Sequence, residues 1–506
     1  MTDTDLNPER VRSICIVGGG SAGWMTAATM ARLLGPTYAK ITLVESEEIG
    51  IVGVGEATIP QMRTFNRMLG IEEDEFIRQT RGSFKLGIQF VDWSRLGHTY
   101  FHPFGSYGVN MGGLSFHAYF LRLNQLGEAP DIDAFSLQAG AASHAKFMRS
   151  VDAGTKSPLS DIAYAYHFDA GLYARYLRGY AEARGVERRE GRIIDVRLDE
   201  RGHVGAVVLE SGERIEADLY VDCSGFRALL IGQALGNDYV DWKHWLPCDR
   251  AVAVPCAGAE RMEPYTRSTA RAAGWQWRIP LQHRIGNGHV YSSAHVSDDE
   301  ATAVLLANLD GEPLADPRYV PFRTGHRTRV WDRNVVALGL SSGFMEPLES
   351  TSLWMIQSGL SRFMAMFPDR GFDQATIDRY NRIILTEYEE IRDFLILHYH
   401  ATERTDSAFW DYCRTMPIPD RLAEKMRVYR AHGRVFRENE ELFNDTSWFA
   451  VMWGQLMRPR GYDPVADAMG LDLTRDRLAE IAAVMRNSVD YMPDHRAYIR
   501  QHCAAA

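Results

Sequence analysis

The chain has 506 residues, with 56 Lys+Arg against 66 Asp+Glu, a net charge of −10, 45% hydrophobic and 24% charged residues. At roughly 150 residues per domain this allows about three domains or one large two-part enzyme of ordinary globular composition. The acidic balance and the lack of any Lys/Arg run argue against nucleic acid or an anionic membrane as main partner. No apolar stretch reaches the roughly 18 residues of a membrane span, and the polar start MTDTDLNPERVRS has no secretion-signal core, so a cytoplasmic protein is expected. The six cysteines, at 15, 223, 248, 256, 413 and 503, form no CxxC pair and predict neither a metal site nor a disulfide framework. Only six basic residues are lysine.

In chain order, residues 13–17 (SICIV) read as a buried strand, the Ala- and Leu-rich run after GGGSAGW as a helix, and 41–44 as a second strand ending at Glu45. Gly18, Gly20 and Gly23 form GxGxxG between that strand and helix. The first glycine permits the turn, the second admits a pyrophosphate, and the third lets helix pack on strand. Ser21 and Ala22 fall at the helix N-terminus, where free N–H groups face an anion. Glu45, 22 positions after Gly23, stands where a carboxylate can hold ribose hydroxyls. This βαβ unit predicts a dinucleotide. FAD is favoured over NAD because 217–225 reads as a strand entering a small-residue turn, and 334–339 as a strand–glycine element placing Leu338 near the cofactor.

Residues 84–90 alternate, with Phe84, Leu86, Ile88 and Phe90 on one face and Lys85, Gly87 and Gln89 on the other, so Lys85 points to solvent or to a cavity. Residues 95–160 read as an irregular, pocket-covering insertion, and 193–198 with 204–209 as a hairpin. Trp275 and Trp277 share a strand face, as core packing or as a cavity wall. Glu349 precedes an apolar helix start, where a carboxylate ordinarily serves the helix dipole, and Glu346 reads as structural. Beyond about 355 the texture turns helical: 377–395, 421–436 and 474–501 carry helical spacing. The expected division is a FAD-binding module over 1–355 and a substrate module over 356–506.

GWQWRIP at 274–280 matches the WxWxIP signature of flavin-dependent halogenases, and with the FAD fingerprint the chain resembles the tryptophan halogenase family along most of its length. SFKLG at 83–87, GVGEATIP at 53–60, HPF at 102–104 and EPLEST at 346–351 resemble that family's lysine strand, flavin-contacting strap, aromatic wall and glutamate–halide segment. The resemblance implies an α/β fold with a Rossmann-like FAD module of flavin monooxygenase type and a mainly α-helical C-terminal module. It implies FADH2 from a separate NAD(P)H-dependent flavin reductase, O2 and a halide, and a small aromatic substrate of indole or tryptophan type; a homodimer is compatible with it.

The same resemblance assigns Lys85 to hypohalous acid, as hydrogen-bond donor or haloamine, and Glu349 to the ring proton or the hypohalous acid. It assigns Ala57 to the cofactor, Thr351 and Ser352 to halide, and His102, Phe104 and Ser350 to substrate. Trp275, Trp277, Ile279 and Pro280 would separate substrate from flavin. The chain departs from the family at Ser352, where relatives have glycine. Serine adopts left-handed geometry less freely, which suggests a halide site favouring bromide. It departs again at 444–456, which has no tyrosine pair for an amino acid's polar groups. Trp448 and Trp453 stand there instead, able to stack on indole or to fill the core. An aromatic monooxygenase, inserting oxygen without halide, and a non-catalytic FAD-binding redox sensor are the alternatives.

Overall fold

A computed structural model describes residues 7–48, 55–154, 157–258 and 261–505. The strand Ser13–Val17 sits inside a six-stranded sheet, between parallel strands Lys40–Glu45 and Leu219–Asp222 (Ile16 opposite Leu43 and Val221). Both faces of this sheet are covered, which is why these strands read as apolar runs rather than as alternating ones. The helix Ser21–Leu34 crosses over from the first strand to the second, as the βαβ reading requires. Gly18 takes φ +112°, and a Cβ there would lie 2.2 Å from the Cys223 carbonyl oxygen; one at Gly23 would lie 1.8 Å from that of Gly18. Both glycines are demanded by close backbone packing.

A seven-stranded sheet carries Gly274–Pro280 at its centre, flanked by Thr266–Arg271 and Ile285–Tyr291, with Gly87–Val91 and Thr99–Pro103 at one edge. A small sheet joins Gly55–Ala57, Ala165–Asp169 and Ser83–Lys85. The continuous strand expected over 84–90 is therefore two strands. Leu86 breaks it by turning its N–H to the Pro264 carbonyl (2.7 Å), so Lys85 and Ile88 belong to different sheets. The hairpin Ile193–Leu198/Val204–Leu209 forms as read. Over 334–340 only Val335–Ala337 is strand; Gly339, at φ +69°, starts a 3₁₀ turn.

Helices dominate from Ser352–Ala365 onward. The long helix is Gln374–His400, with Ile377, Tyr380, Ile384, Tyr388, Ile391 and Leu395 buried and Asp373 accepting the Thr376 N–H as cap. The second expected helix is Asp420–His432, ended by Gly433 in left-handed geometry. The third divides into Leu471–Tyr491 and His495–His502, because Pro493 cannot continue a helix and Asp494 caps the next one. Residues 95–160 hold two helices, Phe116–Gln125 and Leu137–Ser143, so that region is more regular than its sequence suggests. Among the described residues no helix is long and apolar enough to cross a membrane.

Candidate active site

The glycine-rich turn opens a cavity of about 890 Å³, lined among others by Gly18, Gly20, Ser21, Ala22, Glu45 and Ala57. Gly20 caps the helix Ser21–Leu34 without any side-chain bond, so the first helical N–H groups have no side-chain partner and face the cavity. Glu45 pairs with Arg188, and its carboxylate leans across Gly19. Cys223, Ser224 and Gly225 also line the space, as the 217–225 reading expects. Leu338 does not: it is buried beneath Gly359 while its neighbours Gly339 and Leu340 reach the cavity. The turn after Ala337 rotates that side chain into the core. Gly23 likewise serves packing and not the lining. The size, the open helix end and the acidic residue fit a dinucleotide such as FAD.

Trp275, Trp277 and Ile279 form one wall of this cavity, and Trp277 lies over Gly288, where a Cβ would meet its ring at 2.0 Å. Pro280 stays outside, its carbonyl accepting the Ser83 hydroxyl (2.6 Å). The Trp275 indole N–H donates to Glu346 Oε2 (2.9 Å), to which Tyr399 also donates (2.5 Å). Burial pushes the Glu346 carboxyl up to about 7 against the pull of those two bonds. This supports the structural reading of Glu346.

Lys85 has no solvent exposure, which removes the solvated-lysine reading. Its amine donates to Ser350 Oγ (2.8 Å) and to the Thr58 carbonyl (3.0 Å), and lies 5.2 Å from the centre of the Phe104 ring. Burial lowers its pKa to about 7, with Glu349 pulling the other way. Thr58 belongs to the 53–60 segment, of which residues 53 and 54 lie outside the described residues. Ser350 has its Oγ on Lys85 while also lining the flavin-sized cavity. One side chain thus joins the two spaces.

Glu349 ends a 3₁₀ turn, Pro347–Glu349, and does not cap the following helix. Its carboxylate accepts from His102 Nδ1 (3.1 and 3.0 Å), and His398 Nε2 lies 2.8 Å from Oε1. Burial drives its pKa up, but His102 and His398 outweigh that and hold it down at about 2. His102, expected as an aromatic wall, is first a partner of this carboxylate. The left-handed residue of the segment is Ser350 (φ +60°), whereas Ser352 opens the helix Ser352–Ala365 in ordinary helical geometry. The conformational argument for an altered halide site at Ser352 therefore falls. Thr351 and Ser352 do line the cavity.

Trp448 is buried, donating to Glu441 (3.2 Å) and packing edge-on to Phe394, itself stacked on Phe443 beside His102. Trp453 stands apart, against Phe449 and Phe120 with Arg458 on its ring. Its place is in helix packing. Sequence reasoning passed over His398 and Glu56. Glu56 lines the large cavity, and burial raises its carboxyl to about 7. His398 was detectable as a polar residue on the buried stripe of the long helix, three positions after Leu395.

A tryptophan halogenase family model matches residues 13–471. The tryptophan 7-halogenase KtzQ of Kutzneria sp. (strain 744) is 34% identical, covering 98% of this chain and 99% of that protein. Among solved structures, the flavin-dependent halogenase Xcc4156 of Xanthomonas campestris superposes with a TM-score of 0.95 at 46% identity, over 98% of this chain and 99% of that one. BrvH, a flavin-dependent halogenase from Brevundimonas sp. BAL3, gives 0.93 at 46% identity over 97% and 99%. These matches in sequence and fold are to flavin-dependent enzymes of the halogenase class. The chain belongs to the tryptophan halogenase family.

Two outcomes follow from this geometry. A Cβ at Gly20 would meet nothing within 4 Å, so Gly20→Val should keep its Tm yet lose FAD binding in a fluorescence titration, because the space it takes is the ligand's. Retained binding would place the cofactor elsewhere. For Lys85, a folded pKa near 7 lies below the ordinary lysine value of 10.5, so the unfolded chain binds more protons between these two values. Stability should then rise with pH across that window, and Lys85→Met should remove the slope and raise Tm. Denaturant melts of both proteins between about pH 7 and 10 check the sign.

Proposed function

We propose that this protein is an FADH2-dependent halogenase acting on an electron-rich arene of indole or tryptophan type, with O2 and bromide or chloride. A separate NAD(P)H-dependent reductase would supply the reduced flavin, and six unpaired, buried cysteines suit the reducing cytoplasm where such reductases work. Bound at the Gly18–Gly23 turn, the reduced flavin with O2 supplies the oxidant that converts halide to hypohalous acid. Thr351 and Ser352 begin a helix without a side-chain cap, so its first N–H groups are available to a halide beside that cavity.

The observation that carries the reading is the environment of Lys85. Two carbonyl- or hydroxyl-type acceptors, Thr58 O and Ser350 Oγ, match the two N–H bonds of a neutral amine and leave its lone pair free. That lone pair attacks the halogen of hypohalous acid: an N–X bond forms, the X–O bond breaks, and water leaves with the amine proton. The aromatic ring then takes the halogen: the C–X bond forms as the N–X bond breaks, Glu349 accepts the ring proton, and that proton passes on from Glu349 to restore the second N–H of the amine. A carboxylate held near pKa 2 is a weak base, but the cationic ring is a far stronger acid, and the fixed negative charge stabilises it. Trp275, Trp277 and Ile279 wall the flavin off from the substrate.

Phe394 and Phe443 pack on His102, the partner of Glu349, with Trp448 edge-on to Phe394, and the buried charges beside Trp448, Lys425 and Glu441, neutralise each other at 2.7 Å. This favours an uncharged indole over a zwitterionic amino acid. Bromide, which sheds its water more readily than chloride, suits a dry site better.

The test is mass spectrometry of indole and tryptophan incubated with the protein, FAD, a flavin reductase, NADH and either halide. A halogen isotope pattern is expected, absent in Lys85→Ala and reduced about 10²–10⁴-fold in Glu349→Gln. An oxygen adduct formed without halide would overturn the reading in favour of a monooxygenase.

A further inference from the structure

Ser83, His167 and Thr266 come from three strands, are all buried, and form one hydrogen-bonded chain whose direction is fixed at its inner end. Ser83 Oγ lies 2.6 Å from the Pro280 carbonyl oxygen, which can only accept, so the single hydroxyl hydrogen of Ser83 goes there. His167 Nδ1 lies 3.2 Å from the same Oγ, which has no hydrogen left to give, so Nδ1 carries a proton and donates. A neutral ring with its proton on Nδ1 has a bare Nε2, and Thr266 Oγ1 stands 2.9 Å from that nitrogen. The Thr266 hydrogen consequently points at His167.

A second ring proton would reverse this last bond, and the surroundings oppose it. Burial, and after it Lys85, His495 and Arg278, hold the His167 pKa well below the usual histidine value. Both ring nitrogens meet neutral hydroxyl groups, so a cationic ring would have no counter-charge among its hydrogen-bond partners.

Thr266 is also part of the cavity lining. Along Thr266–Arg271 alternate residues are buried, and Ser268 and Ala270 lie opposite Trp277 and Trp275, so Thr266 shares the sheet face of those two indoles. His167 in turn stands opposite Ala57 of the strand Gly55–Ala57, which lines the same cavity. A ligand beside Thr266 thus meets an oxygen that can accept a hydrogen bond and cannot donate one.

We propose that Thr266 is a specificity residue of the cofactor cavity, a fixed acceptor for the imide N–H of the flavin ring, with His167 and Ser83 as the positioning residues that hold it in that sense. The imide is the N–H that the oxidised ring carries and that reduction leaves in place, so one acceptor serves the cofactor in both states. The same lone pairs repel a halide, so Thr266 takes no part in anion binding. The inference rests on flavin occupying this cavity and not on the halogenation chemistry.

The direction of the chain is read by ¹⁵N NMR of the flavin-free, full-length protein labelled at histidine, with His167 assigned from the signals missing in His167→Asn. Nδ1 should be protonated and Nε2 bare from about pH 6 to 8. That is the less common tautomer of a free imidazole in water, and packing alone does not select it. In Ser83→Ala the Nδ1 proton loses its acceptor and should move to Nε2. A protonated Nε2 in the unaltered protein would overturn the inference, as would a ring unaffected by Ser83→Ala.

Calorimetric titrations give the second readout. Thr266→Val should weaken FAD about 2- to 10-fold and leave ADP, which lacks the ring, unchanged, while Thr266→Ser restores FAD. For FAD methylated at the imide nitrogen, the unaltered protein and Thr266→Val should bind equally. Equal affinities of those two proteins for FAD itself would sink the proposal, as would a loss shared by ADP. If the predicted pattern holds but no arene is halogenated, the proposed function fails while this inference stands. If Thr266→Val binds FAD normally in an active halogenase, this inference fails while the proposed function stands.

Discussion

Removing a lysine and a glutamate from water costs several kcal/mol per ion unless each finds compensating partners. Here Lys85 and Glu349 are both buried at the meeting point of three elements. A small sheet supplies Lys85, a turn before the helix Ser352–Ala365 supplies Glu349 and Ser350, and the long helix supplies His398. The rest of the architecture provides what those two groups need. Thr58 and Ser350 accept from the amine, and His102 and His398 hold the carboxylate. Burial alone would leave both groups neutral. The histidines keep the glutamate ionised, while the lysine is left near the point where its proton is readily lost.

The flavin-sized cavity and this dry centre share Ser350. Its left-handed backbone, uncommon for a residue with a side chain, turns the chain so that Oγ reaches Lys85 while the next residues start a helix beside the cavity. Ser350 thus connects the cavity to the lysine through a 2.8 Å hydrogen bond, and Trp275 and Trp277 line another side of that cavity. The sheet that carries the glycine-rich turn and the helices from Ser352 onward meet at this junction. The hydrophobic core is nevertheless continuous across both, with Ile14 and Ile16 in the same cluster as Leu395 and Trp448.

The legible parts of the sequence were those where local chemistry and structure coincide. GxGxxG reads as a phosphate turn because Gly18 and Gly23 are demanded by contacts with the adjacent strand or within a few residues, while Gly20 leaves the helix end open. The helix Gln374–His400 reads from spacing alone, and WxWxIP stands out because it matches a family signature, the two tryptophans by themselves reading as core packing. Where a neighbour in space, not in sequence, set the outcome, the reading failed. Leu86 breaks its strand to reach Pro264, Leu338 turns inward after Ala337, and Trp453 packs on Phe120.

The sequence by itself determined the nucleotide-binding βαβ unit, the helical C-terminal third and the family likeness, and it was that likeness that pointed to Lys85 and Glu349. Those features depend on residue types at short, fixed spacings. Only the tertiary structure decided that Lys85 is dry, that Glu349 is gripped by two histidines from distant segments, and that the left-handed residue is Ser350 and not Ser352. Desolvation and charge balance are sums over neighbours hundreds of positions away, with His102 and Glu349 alone 247 residues apart, and no local pattern encodes such a sum.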